Sequence, residues 1–547
     1  MKKNLLFIGL LAIATLGCKK INPVDGVERI VDATFAKASV SFQFVDAKTG
    51  EQLDMDGSRD IEISVTGKNE ADVVDNFGGS KFGADYGVMA VALREGVVPS
   101  RTNQVFFTVH AQTAGYLTAS KEVVILQEGH QHIVVEMINI SDAPTGFSVT
   151  EDVITAVPSS GVIASEFTLT PSTSSTAGTT ATVTIPAGTK FMDKNSSAVS
   201  GNVTATIAYS NPQEEGFSNL FPGSSDVAPL SDGTYASFKT LGLVSMDLMT
   251  SSKEIKKFNT PIQMTVEIPS GSTDMDGVAV TAGSSFGIYS YNDETGKWTH
   301  EGDETVASNN GKLEVTFDME HLSAWQVAGS KPTEGRYYYN EIKFTGTCPD
   351  YLTTQNDIIM QMVRSDGSNS ASYGKINALI DLNKSVFINC IHKNKANLTG
   401  RKFIWYKKEN PSVTIEASAD YNQPVQTVNL PSSWCPQVDP IDFTIKLETN
   451  CPDSPERKIL PQCTVFAWEE GGAMALLGQM TNGELKTNTS HFDASKKYAL
   501  ITFYQNKIVA LTGTLAGFDL GYRTFDGTDV DLSRTLTSTE CTYLKTK

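Results

Sequence analysis

Apolar side chains recur at every second position along most of this chain. Val40, Phe42 and Phe44 alternate with polar neighbours, as do Ile61, Ile63 and Val65, and then Val105, Phe107 and Val109. The spacing returns at Val203, Ala205 and Ile207, at Ile262, Met264, Val266 and Ile268, and at Leu313, Val315 and Phe317. A period of two puts those side chains on one face of an extended strand, and Gly, Asp and Asn turns separate the runs. Helical periodicity is nearly absent. The pattern predicts an all-β chain, an elongated tandem of Ig-like β-sandwich modules. Residues 121–126 and 132–138 read as a hairpin across Glu128-Gly129. The Ser/Thr-rich stretch 168–184 ends in a strand carrying Val183 and Ile185, which Pro186 stops, as Pro269 stops the strand ending at Ile268.

A chain of 547 residues exceeds a single core, which rarely grows past about 250–300 residues. The pattern divides it into a signal peptide (1–17), a lipidated tether (18–33), a first module (34–142), a second (143–330), and two Cys-containing modules (331–436 and 437–547). The last two are read as related. Phe344-Thr-Gly-Thr-Cys348-Pro-Asp350 is echoed by Leu447-Glu-Thr-Asn-Cys451-Pro-Asp453, an offset of 103, and Phe403-Ile-Trp405-Tyr406 by Ile501-Thr-Phe503-Tyr504.

The start of the chain carries the firmest functional signal. Lys2 and Lys3 precede an apolar run over 5–16, too short to span a bilayer, and Thr15-Leu16-Gly17-Cys18 follows. A small residue before a cysteine at the end of such a run resembles the lipobox of bacterial lipoproteins. That resemblance implies cleavage before Cys18 and acylation of its thiol and new amine. Lys19 and Lys20, with no aspartate after Cys18, resemble outer-membrane sorting. The expected location is the outer membrane, on its surface or periplasmic face.

Residues 34–142 resemble the transthyretin-like, carboxypeptidase-regulatory sandwich, through the Thr49-Gly50 turn, Ala114-Gly115-Tyr116-Leu117 and the closing hairpin. Residues 143–330 resemble ZU5-type and GPS-type β-domains, through Tyr289-Ser-Tyr291-Asn-Asp293-Glu-Thr-Gly296-Lys-Trp298 and His321-Leu322-Ser323-Ala324-Trp325. The second resemblance implies possible self-cleavage between Leu322 and Ser323, with His321 as base and the serine hydroxyl as nucleophile. The competing reading is a β-bend with His321 and Trp325 packed at an edge.

Net charge is −18, becoming −20 once residues 1–17 leave with two lysines and no acid. Nucleic acid needs clustered Lys and Arg and is not an expected partner. Six cysteines follow Cys18: Cys348, Cys390, Cys435, Cys451, Cys463 and Cys541. In an exported chain an even count favours disulfides, and the repeat suggests Cys348 with Cys435 and Cys451 with Cys541, leaving Cys390 and Cys463. No Cys-x-x-Cys occurs. Asp54-Met-Asp56-Gly57 and Asp274-Met-Asp276-Gly277 could hold calcium, as could Asp526-Gly-Thr-Asp529-Val-Asp531. Without a distal glutamate, the first reading of each is a turn. His130 and His132 flank a turn and alternate onto one strand face, where they could hold a metal; with no third ligand near, they read as solvent-exposed turn residues. Gly283-Ser284-Ser285-Phe286-Gly287 matches a nucleophile elbow in spelling only, since a strand and not a helix follows.

No cofactor is expected beyond possible calcium. The expectation is a non-enzymatic binding, adhesion or assembly subunit, held to the membrane by lipid and meeting a protein or glycan ligand. The alternatives are the self-cleaving protein and a glycan-processing enzyme with an unrecognised site. The ligand surface is expected in the C-terminal pair, as the end farthest from the lipid.

Overall fold

In a computed structural model, the described residues are 29–33, 38–333 with short breaks in loops, the strands and a few flanking residues between 339 and 434, and 441–545 with short breaks. The chain is all-β, as its alternation predicts.

The first module packs two sheets. One runs β4 (Val73–Val74), β5 (Val88–Leu93), β2 (Ala38–Asp46), β8 (Gly129–Met137). The other runs β3 (Glu62–Thr66), β6 (Val105–Gln112), β7 (Ala119–Ile125). Val40, Phe42, Phe44, Val91, Phe107 and Val109 fill the space between them. The expected hairpin over 121–138 does not form. β7 pairs with β6, while β8 crosses to the opposite sheet and runs parallel to β2 over nine positions. The open edge of β2 offers β8 a longer ladder than β7 could.

The second module is a larger sandwich. Its six-stranded sheet runs β10 (Phe167–Leu169), β11 (Ala181–Ile185), β16 (Lys257–Ile268), β20 (Lys312–His321), β19 (Ala307–Asn309), with β12 (Phe191–Met192) beside β16. The facing sheet runs β18 (Lys297–Thr305), β17 (Ser285–Asn292), β21 (Ala324–Thr333), β15 (Tyr235–Met249), β13 (Gly201–Ser210), β9 (Phe147–Val157), with β14 (Val227–Pro229) beside β15. Val183, Ile207, Ile262, Met264, Phe317 and Trp325 lie in the core between them. The sheets come close at Gly242, where a Cβ would stand 2.5 Å from a methyl of Val266, so a larger residue there forces the layers apart.

The third module orders β25 (Ser385–Asn389), β22 (Tyr339–Thr345), β28 (Val425–Asn429) in one sheet. The other holds β24 (Asn369–Ala371), β23 (Ile358–Val363), β26 (Lys402–Lys407), β27 (Asn410–Ser418). The fourth orders β33 (Glu484–Thr489), β29 (Ile441–Lys446), β36 (Val530–Asp531) against β35 (Lys507–Ala510), β34 (Tyr498–Tyr504), β31 (Ser454–Glu469), β30 (Thr449–Cys451), β37 (Arg534–Thr535), with β32 (Met474–Met480) on β31. The third and fourth modules share a strand-pairing scheme. Ile342 faces Val386 antiparallel and Gln426 parallel, and Ile445, 103 residues on, faces Leu485 antiparallel and Val530 parallel. The first module shares the scheme, since β2 pairs antiparallel with β5 and parallel with β8.

Two features depart from the sequence reading. A helix, α1 (Ser538–Lys545), closes the chain. Thr537 and Glu540 form its capping box: the Glu540 amide donates to the Thr537 hydroxyl (3.2 Å) and the Thr537 amide to the Glu540 carboxylate (2.7 Å). The second departure concerns the end of the tether. Residues Arg29–Ala33 form β1, parallel to β31 from Ile459 to Cys463. The fourth module therefore packs along residues 29–33, which the sequence reads as tether.

Candidate functional site

The bend at 321–323 is where the chain leaves the six-stranded sheet at the end of β20 and enters the facing sheet at β21. Leu322 turns into the sandwich core. The Ser323 hydroxyl donates to the Tyr291 carbonyl and lies 3.1 Å from the Ala324 carbonyl. The His321 ring lies over Trp325, centroids 5.0 Å apart, and its Nε2 is 3.5 Å from a Glu301 oxygen. Ser290 donates to the same carboxylate at 2.5 Å. The His321 imidazole, together with the Ser290 hydroxyl, holds the Glu301 carboxyl below its ordinary value against the opposing effect of burial. Among the described contacts, none joins His321 to Ser323. The backbone of 321–323 shows no left-handed residue. A base must stand within hydrogen-bond reach of the hydroxyl it activates, and here each side chain is committed to a different strand.

The acidic turns fold their own backbone. Asp274 accepts the amides of Asp276 (2.8 Å) and Val278 (2.9 Å), the Lys239 ammonium reaches its carbonyl at 3.1 Å, and Lys331 pairs with Asp276. Burial would raise the Asp274 pKa, but those amides and Lys239 outweigh it and lower it. Asp54 has φ 61° and accepts the Arg59 amide at 2.6 Å, and Asp56 lies outside the described residues. Asp526 accepts the Thr528 hydroxyl (2.7 Å) and amide (3.1 Å) in the same manner. The Asp274 and Asp526 loops are Asx turns, in which the carboxylate replaces a backbone acceptor, and Asp54 closes a wider loop onto Arg59. Among the described residues no three His, Cys, Asp or Glu side chains converge as a metal would require.

Cys451 and Cys541 form a disulfide across 90 residues, linking β30 to α1, with both cysteines buried in the fourth core. Cys463 is buried on β31 in that same core. Cys18, Cys348, Cys390 and Cys435 lie outside the described residues. Gly283 makes a turn at φ 93°, and β17 follows it as a strand.

The arrangement that sequence reading missed is a seam between the first and fourth modules. The outer face of β2, β5 and β8 carries small or polar side chains, Ser39, Ser41, Gln43, Val88 and Ala90, all buried. Against Val88 and Ala90 lie Phe466, Trp468, Met474, Ile501 and Phe503 of the fourth module. A flat face of small residues thus receives a ridge of large ones. Polar contacts tie its rim: Asp85 accepts the Ile508 amide (2.9 Å) and the Lys507 ammonium (3.2 Å), and Gln43 donates to the Gly472 carbonyl (3.2 Å). A sequence signal existed. The aromatic strands Phe466-Ala-Trp468 and Ile501-Thr-Phe503 put large apolar residues on the face opposite their own core, where Leu520 and Tyr522 of the fourth module and Val88 and Ala90 of the first pack with them.

His132 stands on this outer face, partly buried, with its Nε2 exposing essentially no surface. Its Nδ1 is 2.8 Å from the Ser41 hydroxyl across the β2–β8 ladder. Burial pushes its pKa down to about 4. His110 is also held near 4 by burial. It lies on β6 in the other sheet, between the hydroxyls of Thr66 and Ser120, each 2.8 Å away. The side chain of His130 is outside the described residues.

No protein-family model matches the chain, and no curated protein matches it. Among solved structures it is similar to BcpA, the major pilin subunit of Bacillus cereus, at 10% identity over 91% of this chain and 98% of that one, with a TM-score of 0.13. It is also similar to the RrgB pilus protein of Streptococcus pneumoniae, at 8% identity over 91% and 98%, TM-score 0.13. A third is SpaD, the major pilin of Corynebacterium diphtheriae, at 9% over 92% and 98%, TM-score 0.13. Scores this low carry no shared geometry, and the all-β assignment rests on the strand pairing above.

Proposed function

We propose that this chain is a lipid-anchored protein of the bacterial outer membrane that acts as a non-enzymatic binding, adhesion or assembly subunit. The observation that carries this reading is the apolar run over 5–16 ending in Gly17-Cys18. Two or three acyl chains on one cysteine anchor a protein stably where one would not. Rigid sandwiches are the kind of scaffold that holds binding loops at fixed positions. The acidic turns and the 321–323 bend have structural duties, and this supports a binding role over a catalytic one.

On this reading the ligand-facing end lies away from the fourth module. Residues 19–28 separate Cys18 from β1, a reach of at most about 35 Å. The fourth module, tied to β1 and the first module, is thereby assigned to the membrane-proximal base. The second and third modules carry the outward surface, and its ligand is a protein or a glycan of the cell exterior.

The test is Cys18→Ala in the native cell. The expected result is loss of acyl labelling and release of the protein from membranes, with ligand binding by the soluble mature chain retained. Unchanged labelling and membrane partition would refute the anchor. Loss of binding only when 437–547 is altered would return the ligand surface to the fourth module.

A further inference from the structure

The seam between the first and fourth modules joins two folded units, and one titratable ring stands on the same outer sheet face beside it. His132 stands on β8, on the same outward face as Val134, beside Ser41 of β2. β8 contacts β32 of the fourth module. The His132 Nε2 exposes essentially no surface and meets no hydrogen-bond partner among the described atoms. The groups around it are nearly all neutral. β2 presents Ser39, Ser41 and Gln43, and β5 presents Val88 and Ala90. The β32 sequence Met-Ala-Leu-Leu-Gly-Gln-Met has no titratable side chain, nor has 464–468 of β31. On its own strand the nearest titratable residues are His130, two positions back, and Glu136, four positions along, whose carboxylate attracts the Lys121 ammonium. At the rim Asp85 and Lys507 pair with each other, and Glu470 lies near Tyr522, which packs on the seam cluster.

We propose that this seam is an acid-sensitive clasp: protonation of His132 separates the fourth module from the first and exposes the apolar ridge of Phe466, Trp468 and Phe503. The neutral ring fits the closed seam with Nδ1 at the Ser41 hydroxyl. The protonated ring carries a second N–H with no acceptor in place, and a buried charge without a partner is strongly disfavoured. In the open state the same ring meets water and titrates near 6.5, while burial in the closed state lowers it to about 4. The sign follows. Above pH 6.5 both states hold the neutral ring and the clasp is fully closed. Between 6.5 and about 4 the open state binds the proton that the closed state refuses. The closed-to-open ratio then falls by up to about tenfold per pH unit. Below about 4 both are protonated and nothing further is lost. His110 titrates in the same direction, but on β6 in the other sheet, so its protonation loosens the first module and not the seam.

The methionines report the two events separately. Met474 lies in the seam; Met89 and Met137 lie in the first core, Met264 in the second and Met480 in the fourth, and all are buried. The mature full-length protein is pulsed with hydrogen peroxide between pH 7.5 and 4.5, and each sulfoxide is quantified by mass spectrometry. The expected result is that Met474 oxidation accelerates by up to about tenfold per pH unit below 6.5 while the other four stay protected. His132→Gln, neutral at every pH and able to bond Ser41, should keep Met474 protected to pH 4.5, whereas His110→Gln should behave as wild type. Flat Met474 protection across the range overturns the proposal. So does equal acid exposure in His132→Gln, or exposure of Met474 only together with Met89 and Met137. Should His132→Gln fail to fold, the His132 imidazole is titrated by NMR in the wild-type chain. Its midpoint must coincide with Met474 exposure, and a separation of the two overturns the assignment.

Discussion

The second module and the first bury their sheets in different ways. Along β16, Ile262, Met264, Val266 and Ile268 are buried while the residues between them are exposed or half-exposed, so that sheet keeps one dry face and one wet face. Along β2 all nine residues are buried, Ser41 as completely as Phe42. One strand belongs to a sandwich sufficient to itself, and the other is the middle layer of a stack that continues into the fourth module. The contrast shows what alternation encodes. It marks which face of a strand meets its own core, and leaves open what a second folded unit lays against the other side.

Reduction of the Cys451–Cys541 disulfide should separate the two regions most. Closing a loop of 90 residues is worth up to about 4–5 kcal/mol in the chain-entropy model. Reductant should therefore lower the melting of the fourth module and, with it, the seam. The second module, which has no cysteine, should melt unchanged when followed by hydrogen exchange of β13 and β16. Equal loss in both regions would mean that the second module depends on the fourth.

Trp468→Ala should come next. Removing this buried indole should cost about 3–5 kcal/mol, drawn from the seam, since Trp468 packs in the interface cluster and not in the fourth core. Met474 should become oxidisable at neutral pH while Met264 stays protected. An unfolded fourth module, seen as exposure of Met480, would show that the seam and the core are one cooperative unit.

Asp85→Ala should have the smallest effect, about 1–2 kcal/mol, by leaving the Ile508 amide without its acceptor and Lys507 without its partner. The comparison is the Lys312–Glu267 pair of the second module, at 2.8 Å on the surface, where removing the lysine should change stability by less than about 1 kcal/mol. Similar small effects at both sites would demote Asp85 to an ordinary surface ion.

Much of this was legible from residue order. The runs at Val40, Val105, Val203 and Ile262 are strands, Val183 and Ile185 lie on one, and the 103-residue echo is a shared topology. What escaped had specific causes. The hairpin over 121–138 failed because turn chemistry at Glu128-Gly129 does not reveal which sheet the next strand joins. Residues 29–33 read as tether because five residues are too few to show a period. The α1 helix was announced only by Thr537 and Glu540, a capping box with no amphipathic stripe behind it. For the candidate site, the reading found His132 and the strand it occupies but treated it as an exposed turn residue. Its partner Ser41 lies 91 residues away in sequence, across a parallel ladder that nothing local could record.

The central claim is that the fourth module packs on the first. Zero-length carbodiimide coupling of the mature chain tests it directly, because it joins only carboxylates and amines already in contact. The Lys507–Asp85 pair, at 3.2 Å, should yield a cross-linked peptide at neutral pH alongside the Lys312–Glu267 pair within the second module, at 2.8 Å. Recovery of the Lys312–Glu267 cross-link without any between Lys507 and Asp85 would contradict the account.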